Sequence, residues 1–395
     1  MLFGLITVAL QVAQPLDYRK DFDELISNLG QYCAYVHSDG INLKSIAARY
    51  RPILETSKNR GEALAVFENV MGELHDHHAS LNSNNDASPR LVPSGADIIA
   101  SWKGNIASIE QIRENSPAEK AGLKYGDQIV EIQDKPVRLA SRDWLSSDKN
   151  SLRAWNWGLN SALAGRRNVP RLILINREGS VWQVNLPTFK EERPTTGRLT
   201  ITTKANHIVV LRPENSLGQE DLIKDFDNAV PKMRLAKGIV LDLRNTPSGG
   251  DSNVARGIMG LFISRRLPFQ RHRVDETSTK TVRDWVEYAS PRLSRPITCP
   301  MIVLVGRWTS SMGEGIAIGF DGMHRATVVG TRMAGLRGAV DGVDLPAMGC
   351  RAFFPTEQVF HVNGTPRHDW IPPVLVKPTS PDSWTKKAFS LLTRK

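Results

Sequence analysis

Met301-Ile302-Val303-Leu304-Val305-Gly306-Arg307-Trp308-Thr309-Ser310-Ser311-Met312-Gly313-Glu314-Gly315 is the stretch whose reading decides the fold. Five consecutive apolar residues read as a buried strand. Gly306 and a polar turn follow, and Ile316, Ala317 and Phe320 then repeat at helical spacing. A small hydroxyl residue therefore stands where a strand passes into a helix. Such a position exposes a side chain at the sheet edge, beside the unpaired N–H groups and positive end of the new helix, which suits a nucleophile whose reaction creates an oxyanion. It suits a cap equally well, because Thr309, Ser310 and Ser311 are all residues of the N-cap type. On its own the stretch leaves both jobs open.

Working outward, the same rhythm recurs upstream. Leu199-Thr200-Ile201-Thr202 and Ile208-Val209-Val210-Leu211 read as strands, and Leu222, Ile223, Phe226 and Val230 mark a helix. Gly238-Ile239-Val240-Leu241-Asp242-Leu243-Arg244-Asn245 then runs into Pro247 and Gly249-Gly250, with a further helix through Ile258, Leu261 and Phe262. Strand, glycine turn and helix, twice over, predict an α/β layer with a parallel sheet. In such a sheet the Gly249-Gly250 turn and the Ser311 turn lie side by side, with backbone N–H groups of the first next to the hydroxyl of the second.

Residues from Ile98 to about Pro187 change to short alternating strands with turns. At their centre Ser116 caps a short helix that begins with Pro117 and ends at Gly122, and Gly126-Asp127 turns into the alternating strand Gln128 to Ile132. Between Asp17 and Leu81 the spacing is helical, through Phe22, Leu25, Ile26 and Leu29, then Ile46, Ala47 and Tyr50, then Ala63, Val66, Val70, Met71 and Leu74. This predicts three or four helices packed on one another. The last ends in Leu74-His75-Asp76-His77-His78-Ala79-Ser80-Leu81, and a polar linker runs from Asn82 to Ser94. His75 and His78 share a helical face, but no complementary ligand motif follows, so solvated histidines, a base and a metal ligand are the readings of the cluster.

The chain has 395 residues, enough for two or three domains. Its 51 Lys and Arg are scattered among 41 acidic residues, giving a formal charge of +10, and no basic run interleaves with aromatics. The charge reads as a solvated surface, with no nucleic-acid partner. Residues 1–13 form an apolar run followed by Gln14-Pro15, which reads as the hydrophobic part of a secretory signal peptide over 1–14. No later run approaches the roughly 18 apolar residues of a membrane span, so no integral membrane segment is expected. Cys33, Cys299 and Cys350 make no disulfide framework or metal cluster, although one pair, such as Cys299 with Cys350, is open to an exported protein.

Two resemblances follow from these motifs. Ser116-Pro117-Ala118, Ala121-Gly122-Leu123 and Gly126-Asp127 with Ile129 and Ile132 closely resemble the PDZ signature, which implies a β-sandwich-like module that takes peptide C-termini by strand addition or serves as a lid or spacer. The whole pattern is similar to the family of carboxy-terminal processing proteases and tricorn-core peptidases. It shares their Leu-Asp-Leu-Arg-Asn turn (Leu241 to Asn245) leading to Gly249-Gly250, their nucleophile turn with serine three residues before Glu314, and their His-bearing segment before the PDZ module. The resemblance implies an α/β multidomain chain: a helical N-terminal domain over 15–90, a PDZ domain over 95–190 and a crotonase-like α/β peptidase core over 195–395.

The same resemblance implies Ser311 as nucleophile, with the oxyanion held by the N–H groups of Met312 and of Gly249 or Gly250. One departure changes the base. Where processing proteases carry a general-base lysine, this chain has Leu336, and where they carry a glutamine it has Val340; Arg337 is no base at neutral pH. The tricorn-like branch uses a histidine before the PDZ module, here His78, and the nearest acidic candidate for its orienting partner is Asp369, in the segment Asn363 to Pro373. What is implied is a periplasmic or secreted serine peptidase without cofactor or metal, acting on polypeptides. Its PDZ module would take their C-terminal segments. The alternative is an inactive scaffold of the same fold.

Overall fold

The structure is a computed structural model and describes residues 17–145, 151–189, 197–276, 279–380 and 382–393. The expected signal peptide over 1–14 lies outside the described residues. A six-stranded sheet carries the centre of the fold, in the order Val374–Leu375, Thr327–Gly330, Met301–Val305, Gly238–Asp242, Ile208–Pro213 and Leu199–Lys204. All neighbours run parallel except the last pair, which is antiparallel. Every residue of Gly238–Asp242 and Met301–Val305 is buried. That is why these strands read as continuous apolar runs: both faces of a parallel sheet are covered.

Alternate residues divide between the two faces. Val209, Leu211, Ile239, Leu241, Val303 and Val305 pack against Leu222 and Phe226 of the helix Asp221–Arg234, Ile258 of Ser252–Met259 and Phe320 of Met312–Gly322. Ile208, Val240, Ile302, Leu304 and Val329 point the other way, onto Trp384 and Ala388 of Asp382–Thr393. Gly238–Asp242 and Met301–Val305 are direct neighbours, with Leu241 opposite Val303, so the two turns that follow them emerge at one sheet edge.

The helices Tyr18–Tyr32, Leu43–Glu55 and Arg60–Gly72 pack on one another, as their spacing predicts, and their core extends beyond them. Phe22, Leu25, Leu64, Phe67 and Val70 share theirs with Leu345, Met348, Ala352 and Phe354. The apolar stripes are too wide for three short helices to cover mutually, and the strand Cys350–Phe360 completes them. Leaving these helices, the chain passes His78 and pairs Ser80 and Leu81 with Phe353 and Ala352. That docking carries His78 to the central sheet.

A second antiparallel sheet is built from Ile98–Lys103, Ile106–Ile112, Gln128–Ile132, Arg171–Arg177 and Ser180–Leu186. Ser116 caps the helix Pro117–Lys120, accepting the Glu119 N–H at 3.2 Å. The sheet and its helix Leu152–Ala164 are tied to the turn that follows Met301–Val305: the Trp308 indole donates to the carbonyls of Pro93 and Ala96, and the Arg307 N–H donates to Gln111 Oε1 at 2.9 Å. All three cysteines are free. Cys299 packs beside the central-sheet core and Cys350 beside the helical core, so the pair suggested by the sequence does not form.

Candidate active site

Ser311 stands directly before the helix Met312–Gly322, with φ +49° and ψ −112°. A non-glycine residue pays roughly 1–3 kcal/mol to hold such a conformation, so the surroundings must impose it. They do so through the residues that the sequence offered as caps. Thr309 Oγ1 donates to the Leu243 carbonyl at 2.8 Å and accepts the Gly306 N–H at 3.0 Å, while Ser310 Oγ donates to the carbonyls of Thr246 and Pro247. Neither caps the helix. Both lash the turn at Ser311 to the neighbouring glycine turn, and of the three hydroxyl residues Ser311 alone is half-buried.

That hydroxyl lies 3.1 Å from His78 Nε2. On the other side of the ring, Nδ1 is 2.7 Å from the Arg337 carbonyl. A carbonyl only accepts, so Nδ1 carries the hydrogen and the Nε2 lone pair faces the serine hydroxyl. Burial holds the imidazole down to about 4, helped by the Arg367 guanidinium and opposed by the Arg337 carbonyl. The ring is therefore neutral, and able to accept a proton, throughout the neutral range.

Asp369 is not brought to His78. The turn Arg367–Asp369 sends Arg367 inward, where it donates to the carbonyls of Leu336 and Gly338, and leaves Asp369 outward with its side chain 67% exposed and its carboxylate 3.6 Å from His368 Nε2. A main-chain carbonyl occupies the position expected for an acid. Arg337 itself is held by Asp39, which accepts from both its terminal nitrogens, and lies over the Tyr35 ring at 3.5 Å; Asp39 also accepts from Arg153. Sequence reasoning missed this role because any residue type supplies a carbonyl.

Glu314 is the second residue whose work the sequence understated. Fully buried, it accepts the N–H groups of Ser311 at 2.8 Å, Gly335 at 2.9 Å and Leu336 at 3.3 Å. It thus joins Ser311 to the segment whose Arg337 carbonyl meets His78 Nδ1. The Ser-x-x-Glu spacing was its only signal. Leu336, where a lysine was looked for, is buried apolar surface. His75 and His77 pack their rings on Trp157, and burial with Arg307 holds His77 down to about 3.

Of the expected oxyanion donors, Gly249 is already engaged, since its N–H donates to the Thr246 carbonyl at 3.1 Å. Among the described residues the N–H groups of Met312 and Gly250 have no such partner. Gly249 has another job. Its φ is +66°, and a Cβ there would stand 2.5 Å from Ser311 Cβ. Gly249→Ala is therefore expected to displace Ser311 and lower kcat by about 100-fold or more with the fold retained, which steady-state kinetics beside circular dichroism will measure.

Residues 195–373 match the sequence family described as Peptidase family S41. The chain is 25% identical over 232 residues to the carboxy-terminal processing protease CtpA of Bacillus subtilis, covering 58% of this chain and 43% of that protein. It is 24% identical over 263 residues to the carboxy-terminal-processing protease of Bartonella bacilliformis, covering 63% and 53%. It thus spans about half the length of these curated relatives. Among solved structures, mature CPAF complexed with lactacystin superposes with a TM-score of 0.63 at 15% identity over 95% of this chain and 96% of that one. The photosystem II D1 C-terminal processing protease gives 0.57 at 15% identity, over 94% and 97%. These two likenesses concern the fold.

Proposed function

We propose, from the match of residues 195–373 to Peptidase family S41 and from the geometry at Ser311, that the chain is a serine endopeptidase that cleaves polypeptides through an acyl-enzyme, with Ser311 as nucleophile and His78 as general base. The observation that carries this reading is the 3.1 Å contact between Ser311 Oγ and a neutral His78 Nε2. As Ser311 Oγ attacks the scissile carbonyl carbon, its proton passes to Nε2. The carbonyl oxygen gains the negative charge beside the N–H groups of Met312 and Gly250, donors of a kind worth about 3–4 kcal/mol each in the transition state. Collapse returns the proton from His78 to the leaving amine, and water repeats the sequence on the ester.

Within the same reading the sheet from Ile98 to Leu186 is a PDZ-like module and residues 195–395 are a crotonase-like core. The capped helix at Ser116 and the parallel sheet with paired turns support both assignments. Export beyond the cytoplasmic membrane belongs to it as well, on the strength of the apolar run at residues 1–13. A fluorophosphonate probe is expected to label the wild-type chain and to leave Ser311→Ala unlabelled, as read by mass spectrometry of the modified peptide. Equal labelling of both would replace this reading with that of an inactive scaffold.

A further inference from the structure

The strand Ile98–Lys103 forms one edge of the second sheet and pairs on its inner side with Ile106–Ile112. A module that takes peptides by strand addition offers the free N–H and C=O groups of such an edge to the incoming backbone. Here those groups are taken. Asn160 accepts the Ala100 N–H through Oδ1 at 3.0 Å and donates from Nδ2 to the Ala100 carbonyl at 3.0 Å, the same pair of bonds that a residue of an added antiparallel strand would make. One helical turn earlier, Asn156 Oδ1 accepts the Trp102 N–H at 2.9 Å.

The spacing on both elements makes the match. Ala100 and Trp102 are two apart and present their polar groups to one edge, while Asn156 and Asn160 are four apart and share a face of the helix Leu152–Ala164. Trp102 closes the end of the seam: its indole donates to the Trp155 carbonyl at 3.1 Å and meets the Trp155 ring edge-on, with Arg138 over both. Ala100 is 0% and Asn160 5% exposed, so water does not compete for the two bonds between them.

We infer that this edge is permanently occupied by the chain's own helix Leu152–Ala164, whose asparagine pair stands in for a peptide backbone. The module then works as a fixed buttress of the nucleophile turn and does not receive peptide C-termini there. The inference rests on the PDZ-like reading of this sheet. The buttress is visible in the bonds from the module to the turn: Trp308 to Pro93 and Ala96, Arg307 to Gln111 and, at 3.3 Å, to Glu110. Both ends of one assembly meet there, the sealed edge and the catalytic turn. A groove that must open for a ligand would have to break three hydrogen bonds first, two of them buried and one partly buried.

Amide hydrogen exchange on the full chain carrying Ser311→Ala tests this directly. The probes are apolar-ended peptides with a free carboxylate and the same peptides amidated. The Ala100 and Trp102 amides are expected to be protected without peptide and unchanged by either form. In Asn156→Ala/Asn160→Ala their exchange should rise about fivefold to tenfold for each bond removed. Fast exchange in the unliganded chain, or added protection by the free-carboxylate peptide alone, would overturn the inference. The wild-type edge decides the matter even if the double variant fails to fold. Failure of the serine probe to label Ser311 would overturn the catalytic reading and leave these protections untouched.

Discussion

His78→Ala is expected to lower kcat/KM by about 10⁴- to 10⁶-fold without unfolding the chain, since removing the base from a serine–histidine pair costs about as much as removing the pair. The fold survives because the half-buried ring contributes two hydrogen bonds, one to Ser311 and one to the Arg337 carbonyl. The wild-type pH profile gives the sharper test. Burial holds His78 down to about 4, below its ordinary 6.5, so the base is free above about 4 and the acid limb of kcat/KM should fall there and not near 6.5. The sign for stability follows: the folded state binds this proton less readily than the unfolded chain, so the contribution is complete above about 6.5 and is lost as pH falls through about 4. An acid limb at 6.5 would show that the imidazolium gains more from its partner than a carbonyl dipole supplies.

Glu314→Ala should be the most damaging change outside Ser311 and His78, costing roughly 3–5 kcal/mol of stability in denaturant titrations. It leaves the N–H groups of Ser311, Gly335 and Leu336 buried without their acceptor, at about 1–3 kcal/mol each with incomplete additivity. Glu314→Gln keeps one acceptor oxygen and most of the shape. It should therefore retain the fold while kcat falls and KM stays near its wild-type value, the split expected of a positioning residue.

The pH dependence separates the two forms of Glu314 itself. Burial, against the opposing effect of Arg367 and the three N–H groups, pushes its carboxyl up to about 7 from an ordinary 4.5. A raised carboxyl contributes stability that is complete below about 4.5 and lost as pH rises through about 7, on the order of 3 kcal/mol. Relative to Glu314→Gln, the wild type should lose that amount across this interval. A flat difference would mean that Arg367 and the three N–H bonds fully offset the burial.

How much of this was legible beforehand varies with the kind of bond involved. The continuous apolar runs at Gly238–Asp242 and Met301–Val305 announced a sheet covered on both faces, because burial on both faces demands apolar residues at every position. The small hydroxyl and glycine residues of the two turns announced a close approach of two backbones, because such proximity demands small side chains. Glu314 entered the sequence reading only as the residue three after the serine of the family's turn, while its bonds to Gly335 and Leu336 join segments more than twenty residues apart.

By itself the amino-acid sequence determined the parallel layer, the pairing of the Gly249-Gly250 and Ser311 turns, and the absence of an amine where Leu336 stands. Only the tertiary structure decided that Thr309 and Ser310 lash the turns and do not cap, that Asp369 faces outward, and that a carbonyl orients His78. It also decided that two asparagines fill a sheet edge. The physical reason is common to all four. Periodicity records which side chains must be apolar or small, whereas a hydrogen bond to a main-chain group can be made to any residue type, and its partner is settled only when distant segments meet.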